Sequence, residues 1–249
     1  MSRSKPNENN PNPAVRWFEW NGEKGLIRYY DKDAEQNVDV PLPFTFMLLD
    51  QLAGVGGWHD ASDSGIYSNQ VKDTRADVLV VKSFKGGILA EGLYKDIKDR
   101  VVAQGGQFVA QCYIAFKNPT DLAIAVLRIK GAALREWMEF THDNRSQLYK
   151  GAITIPSYTE GKKGSIKYRV PVLKLSAISD ASNNQAVALD AQLQEWLDGY
   201  LSRTKTEQVE RHEDEDYDQP EQEAVPAGGW GDPVNGGRAT PITDDDVPF

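Results

Sequence analysis

The chain has 249 residues, 40% of them hydrophobic and 26% charged, enough to bury the core of one sizeable domain or two small ones. A single cysteine and three scattered histidines exclude an internal disulfide and a Cys/His zinc cluster. No apolar run approaches the ~18 residues of a membrane helix. The polar start MSRSKPNENNPNP has neither the hydrophobic stretch of a signal peptide nor the amphipathic pattern of a transit peptide, so a cytoplasmic protein without a membrane partner is expected.

The net charge of −9 is unevenly distributed. Residues 206–249 hold 13 acidic and two basic groups, whereas residues 1–205 hold 26 basic and 24 acidic ones. Within that body, residues 72–174 carry 18 basic groups against 10 acidic. A basic body with an acidic appendage points to a polyanionic ligand.

In chain order, residues 1–13 are polar and expected to be disordered. Val15–Trp20 and Gly25–Tyr30 flank Asn21-Gly22 as a hairpin, and Val38–Val40 adds a short strand closed by Pro41 and Pro43. Phe44–Leu52 is apolar almost throughout and reads equally as buried strand or helix, with Gly54, Gly56 and Gly57 expected to punctuate the chain after it. Asp77–Phe84 and Ile88–Glu91 read as strands joined at Gly86-Gly87, and Leu93, Tyr94, Ile97 and Val101 fall at helical spacing before Gly105-Gly106. Phe108–Phe116 alternates, Leu122–Ile129 follows a turn at Asn118-Pro119, and Ala132–Thr141 reads as a helix. Strands at Ala152–Pro156 and Ile166–Ile178 flank a Lys/Gly loop, and a last amphipathic helix covers about Gln185–Leu201. The expected fold is mainly β with a few helices, a small antiparallel barrel with insertions and a disordered acidic C-terminal tail. Its parts are a disordered 1–13, a body over 14–203, an acidic then Gly/Pro-rich linker over 204–243, and a tip over 244–249.

That tip, Asp244-Asp245-Asp246-Val247-Pro248-Phe249, resembles the tip of bacterial and phage single-stranded-DNA-binding proteins, whose common form has isoleucine in place of Val247. The resemblance covers these six residues and the layout of body, linker and acidic tip. It implies an oligonucleotide-binding (OB-fold-like) barrel body, sequence-independent binding of single-stranded DNA, and recruitment of replication, recombination and repair proteins by the tip. Physically, Phe249 offers an apolar side chain with a carboxylate beside it, Asp244–Asp246 supply salt-sensitive attraction, and Pro248 limits the conformations to be ordered. The same anionic segment can compete with DNA for the body. Homo-oligomerisation and strand annealing are left open.

Single-strand binding needs cations for the backbone and exposed rings on which bases stack. Candidates in the body are Trp58, Tyr67, Lys82, Phe84, Lys85, Tyr113, Lys117, Lys162, Lys163, Lys167, Tyr168 and Arg169. The Lys162-Lys163 loop resembles the hairpin loops that embrace the strand in oligonucleotide-binding barrels. Phe84, sharing parity with Val78, Val80 and Lys82, is the ring most expected to turn inward, and Trp17, Trp20, Trp137 and Trp196 are assigned to packing. Gly161-Lys162-Lys163-Gly164 lies between strands rather than helices, unlike a KH loop, and lacks the ending of a P-loop. His59, Asp60 and Asp63 read as a polar turn rather than metal ligands, and Cys112 as a buried, inert thiol. No cofactor, metal or enzymatic activity is expected. The rival readings are a β-barrel adaptor of the replication machinery that binds protein rather than DNA, and a nuclease.

Overall fold

The computed structural model describes residues 11–215, with side chains to Thr204. It is mainly β with three α-helices. The strands are β1 (Arg16–Asn21), β2 (Leu26–Asp31), β3 (Gln36–Val40), β4 (Phe44–His59), β5 (Ser64–Ser68), β6 (Leu79–Ser83), β7 (Gly87–Gly92), β8 (Gly106–Asn118), β9 (Asp121–Lys130), β10 (Gly151–Lys163) and β11 (Ile166–Ala177). The helices are α1 (Tyr94–Ala103), α2 (Ala132–Asp143) and α3 (Asp180–Glu215). The β1–β2 hairpin forms at the expected turn, where the Asn21 side-chain oxygen accepts from the backbone N–H groups of Glu23 (3.0 Å) and Lys24 (3.1 Å).

All eleven strands belong to one sheet, ordered β3-β2-β1-β9-β8-β4-β5-β6-β7, with β10–β11 branching from β4. Only β1 against β9 runs parallel among the described pairs. The path has ends at β3 and β7, so the sheet is not the small closed barrel of the sequence expectation. Its β1-β9-β8-β4-β10-β11 portion nonetheless curls: the Arg169 N–H of β11 donates to Gly22 O (2.7 Å), and the Trp20 indole N–H donates to Arg169 O (2.9 Å).

Strand β4 organises the whole. It is a strand rather than a helix, and Gly54, Gly56 and Gly57 lie inside it instead of ending it. It pairs with β8 along most of its length, with β10 at its start and with β5 at its end on the opposite edge. A register shift between Leu48 and Asp50 changes its parity: Phe46 and Leu48 face the inner core before it, Gln51, Ala53 and Val55 after it. Gln51 consequently points inward, where its side-chain oxygen accepts from the Trp137 indole N–H at 2.7 Å. That hydrogen bond satisfies the polar edge of a fully buried tryptophan.

Two faces result. On the inner face, β8 presents Phe108, Ala110, Cys112, Ile114 and Phe116 as its alternation requires, and α2 closes over them with Leu134 and Trp137. Further along the same face, α1 packs Tyr94, Ile97 and Val101 on Val55, Leu79 and Val81. On the outer face, α3 lays Leu193, Trp196 and Leu197 on Met47, Leu52, Tyr113 and Val126. The Ser179 hydroxyl caps α3 by accepting from the Ser182 N–H (3.2 Å). The helix backbone runs to Glu215, past the point near Arg203 where the linker was expected to begin. No helix among the described residues is long and apolar enough to cross a membrane.

Candidate nucleic-acid interface

Helix α3 covers only part of the outer face. Past Leu52 on β4 and Val126 on β9, the outward positions change from apolar side chains to glycine, cations and rings. Four of the sequence-predicted residues meet there. Tyr67 pairs with Gly56 on one side and Lys82 on the other, and Trp58 pairs with Gly65. Phe84, expected to turn inward, is 73% exposed. The reason is that Leu79, Val81 and Ser83 take the core parity of β6, leaving Phe84 just beyond the strand, where its N–H donates to Gly65 O (3.1 Å). Its ring lies over Gly65, where any Cβ would come within 3.2 Å, and stacks on Tyr67 with centroids 4.7 Å apart and planes at 29°. Trp58 is 53% exposed on the same face. Lys85, in the turn after Phe84, donates its ammonium to Asp63 O (3.3 Å).

A buried polar network holds this platform. His59 engages Ser62 Oγ through Nδ1 (2.7 Å) and Gln104 Oε1 through Nε2 (2.8 Å). Ser62 in turn contacts Ser64 (2.8 Å), Ser64 Oγ accepts from Lys85 N–H (3.2 Å), and Ser83 Oγ accepts from Gly86 N–H (2.7 Å). The residues flanking Trp58 and Phe84 are therefore tied together beneath the rings. Both His59 nitrogens serve structure, in keeping with a polar turn. Among the described residues no three His, Cys, Asp or Glu side chains gather to hold a metal ion.

The sequence reading missed the cations that complete the face. On β9, Arg128 pairs with Gln111 of β8 and with Glu19 of β1, and Lys130 pairs with Val109. Arg128 reaches across β8: a Cβ on Gly56 would lie 2.5 Å from its Nη2, and one on Gly54 would lie 2.6 Å from Gln111 Nε2. The two glycines thus form a floor on which longer side chains lie flat. Glu19, the acidic member of this face, is held by Arg28 on β2, with Nη2···Oε1 at 2.5 Å. Among the described residues no salt bridge engages Arg128 or Lys130. Burial lowers the Lys130 ammonium below the usual lysine value, and neighbouring Arg128 and Arg28 lower it further against the opposing pull of Glu19. The signal in the sequence was the even-numbered series of β9, Leu122, Ile124, Val126, Arg128 and Lys130, which turns from apolar to cationic midway.

The other candidates lie elsewhere. Tyr113 is fully buried, packs against Trp196 and donates its hydroxyl to Gln70 Oε1 (2.9 Å), so it cannot stack on a base. The reason is that both faces of β8 are covered at that point. Lys117 is exposed at the far end of β8. Lys162 and Lys163 are strand residues paired with Lys167 and Ile166, not a long loop. The connection is the two residues Gly164-Ser165, with Gly164 at φ 60°, the left-handed position that a type II′ turn assigns to glycine. Lys162, Lys163 and Lys167 are exposed on this hairpin and Tyr168 is half-buried. Arg169 serves the seam: its guanidinium contacts Glu160 (3.3 Å) and the Glu23 carbonyl and lies 5.1 Å over the Tyr158 ring. Trp17, assigned to packing, is 44% exposed, whereas Trp20, Trp137 and Trp196 are buried. Cys112 is buried, and burial pushes its thiol far up. The stretch Asp244, Asp245, Asp246, Val247, Pro248 and Phe249, like residues 1–10, lies outside the described residues. No family model, curated protein or solved structure matches this chain.

Proposed function

We propose that this protein binds single-stranded DNA without sequence preference, as a non-enzymatic coating protein of DNA replication, recombination and repair. The observation that carries the reading is the uncovered half of the outer sheet face, where stacked, exposed rings stand beside a glycine floor crossed by Arg128. Each part has a role in that chemistry. Trp58, Tyr67 and Phe84 offer π-faces to bases, and every base has a face to stack, which makes the contact sequence-tolerant. Arg128, Lys130 and Lys82 meet phosphates, and Gly54 and Gly56 leave the room in which Gln111 and Arg128 lie against the sheet. A duplex hides its base faces, so this surface favours unpaired strands. The curled part of the sheet is read as a divergent oligonucleotide-binding barrel, and the Asp244–Phe249 segment as the docking peptide for partner enzymes.

The test is a titration of intrinsic tryptophan emission with oligo-dT at low salt, with a matched duplex as competitor. Quenching that weakens steeply with salt, because phosphate contacts release counterions, supports the reading. Absence of quenching, or preference for duplex, overturns it and favours the adaptor; strand cleavage on adding magnesium favours the nuclease.

A further inference from the structure

The uncovered face does not stop at Arg128. Beyond β9 it continues onto β1 and β2, and at their far end stands a second pair of rings. Trp17 and Tyr30 flank the Phe18–Tyr29 cross-strand pair on the outward parity, at 44% and 56% exposure. Trp17 pairs with Val126, two residues from Arg128 on β9, and Glu19 pairs with both Arg128 and Arg28. Rings at both ends therefore share a face with the cations between them: Arg128 and Lys130 in the middle, and Lys82 at the Tyr67 end. The negative charge within that stretch, Glu19, is ion-paired with Arg28. Glu91 lies across from Val80 at the β7 edge, beyond Tyr67 and off the span between the two ring pairs.

We propose that Trp17 and Tyr30 form a second base-stacking platform, so that one DNA strand runs diagonally across β1, β9, β8, β4 and β5, with a base held at each end and phosphates over Arg128 and Lys130. This rests on the single-strand reading and adds a footprint to it. The steps from β1 to β5 span about 19 Å at the usual interstrand spacing, and the two ring rows, which meet β8 at Tyr113 and Gln107, are offset by about 20 Å along the strands, giving a diagonal of about 28 Å. That is room for at most about eight nucleotides at the rise of stacked DNA, within the range for one oligonucleotide-binding module. Charge selects the occupant: a nonpolar partner for Trp17 and Tyr30 would leave the adjoining cations without counter-charge.

The experiment measures binding of oligo-dT of about three and about eight nucleotides by wild type, by Trp17→Ala/Tyr30→Ala and by Tyr67→Ala/Phe84→Ala, with sedimentation velocity of each free protein. The first variant is expected to lose about five- to a hundredfold in affinity for the longer strand while binding the shorter one much like wild type, since the other platform still holds it. The second variant is expected to lose affinity for both lengths. Thermal melts matching wild type establish that the exposed substitutions leave the fold intact. Equal binding of the longer strand by wild type and Trp17→Ala/Tyr30→Ala overturns the inference alone. So does a wild-type dimer that the same substitution converts to monomer without loss of affinity, which assigns the patch to a second copy of the chain. If wild type binds neither strand, the single-strand reading falls, and this inference with it.

Discussion

One sheet face serves two purposes in this molecule, and the boundary runs across its strands. On the covered half, β4, β8 and β9 present Met47, Leu52, Tyr113, Ala115, Ile124 and Val126 to α3, and all are buried. On the uncovered half, the same strands present Gly54, Gly56, Trp58, Gln107, Arg128 and Lys130, with Val109 and Gln111 buried among them. The covered half gains stability from apolar area removed from water. The uncovered half keeps rings in solvent and holds a lysine whose charged form is disfavoured where it sits. Features that cost stability without an internal gain are expected where a surface is shaped for a ligand. The difference between the halves teaches that the proposed binding surface begins where the covering helix's contacts end.

Substitutions should separate the halves. Removing a covering side chain has the largest effect: Trp196→Ala, whose ring is buried against Tyr113 and stacked on Tyr200, should cost about 3–5 kcal/mol in chemical denaturation. Affinity for oligo-dT should hold wherever the variant is folded; a selective loss of binding with normal stability would break the division.

Alkaline titration tests the covered half next. Burial raises the Tyr113 hydroxyl to about 12, despite its hydrogen bond to Gln70; on the inner face, burial alone raises Tyr94 to about 12 as well. An acid whose folded value is raised keeps its contribution fully below the unfolded value near 10 and loses it as pH climbs towards 12. The loss should be on the order of 2–3 kcal/mol per tyrosine. Tyr113→Phe should flatten that part of the stability–pH curve, and an unchanged curve would place the titration elsewhere.

On the uncovered half the signature inverts. Phe84→Ala should cost about 1–3 kcal/mol in binding, seen by fluorescence or anisotropy. Its folding stability should move by no more than about 0.5 kcal/mol, because so little of the ring is buried. Lys130→Met should weaken binding and reduce the salt slope by about one, while the melting temperature stays level or rises. The sign follows from the lowered ammonium: its protonated form is disfavoured in the fold, so stability rises as pH climbs from that lowered value towards the unfolded one near 10.5. A fall in melting temperature would show that Lys130 is a structural cation.

The smallest effect sharpens the boundary. A Cβ at Gly56 meets the far end of a flexible arginine and comes within 3.3 Å of buried Val109 Cγ2, so Gly56→Ala should lift Arg128 off the floor at a modest cost in stability. Its reading is a several-fold drop in DNA affinity with only a small fall in the denaturation midpoint; unaltered affinity would remove the floor from the interface.

The chain's own pattern determined the elements. Alternation gave β8 its face, the Asx turn at Asn21 gave the first hairpin, and the 3.6 period gave α1, α2 and the apolar stripe of α3, because each depends on neighbours within a few residues. The segregation of charge between body and acidic end was likewise legible, being a sum over composition. Tertiary structure alone decided the register shift in β4, which sends Gln51 inward and the glycines outward. It also set where α3 stops covering the sheet, which buries Tyr113 and leaves Trp17, Tyr30 and Phe84 in solvent. Parity along a strand says that two side chains share a face, but whether anything lies on that face depends on a helix from a distant part of the chain. The cationic floor is of this second kind: Arg128 and Gly56 become neighbours only across an intervening strand, through a pairing that no local pattern encodes.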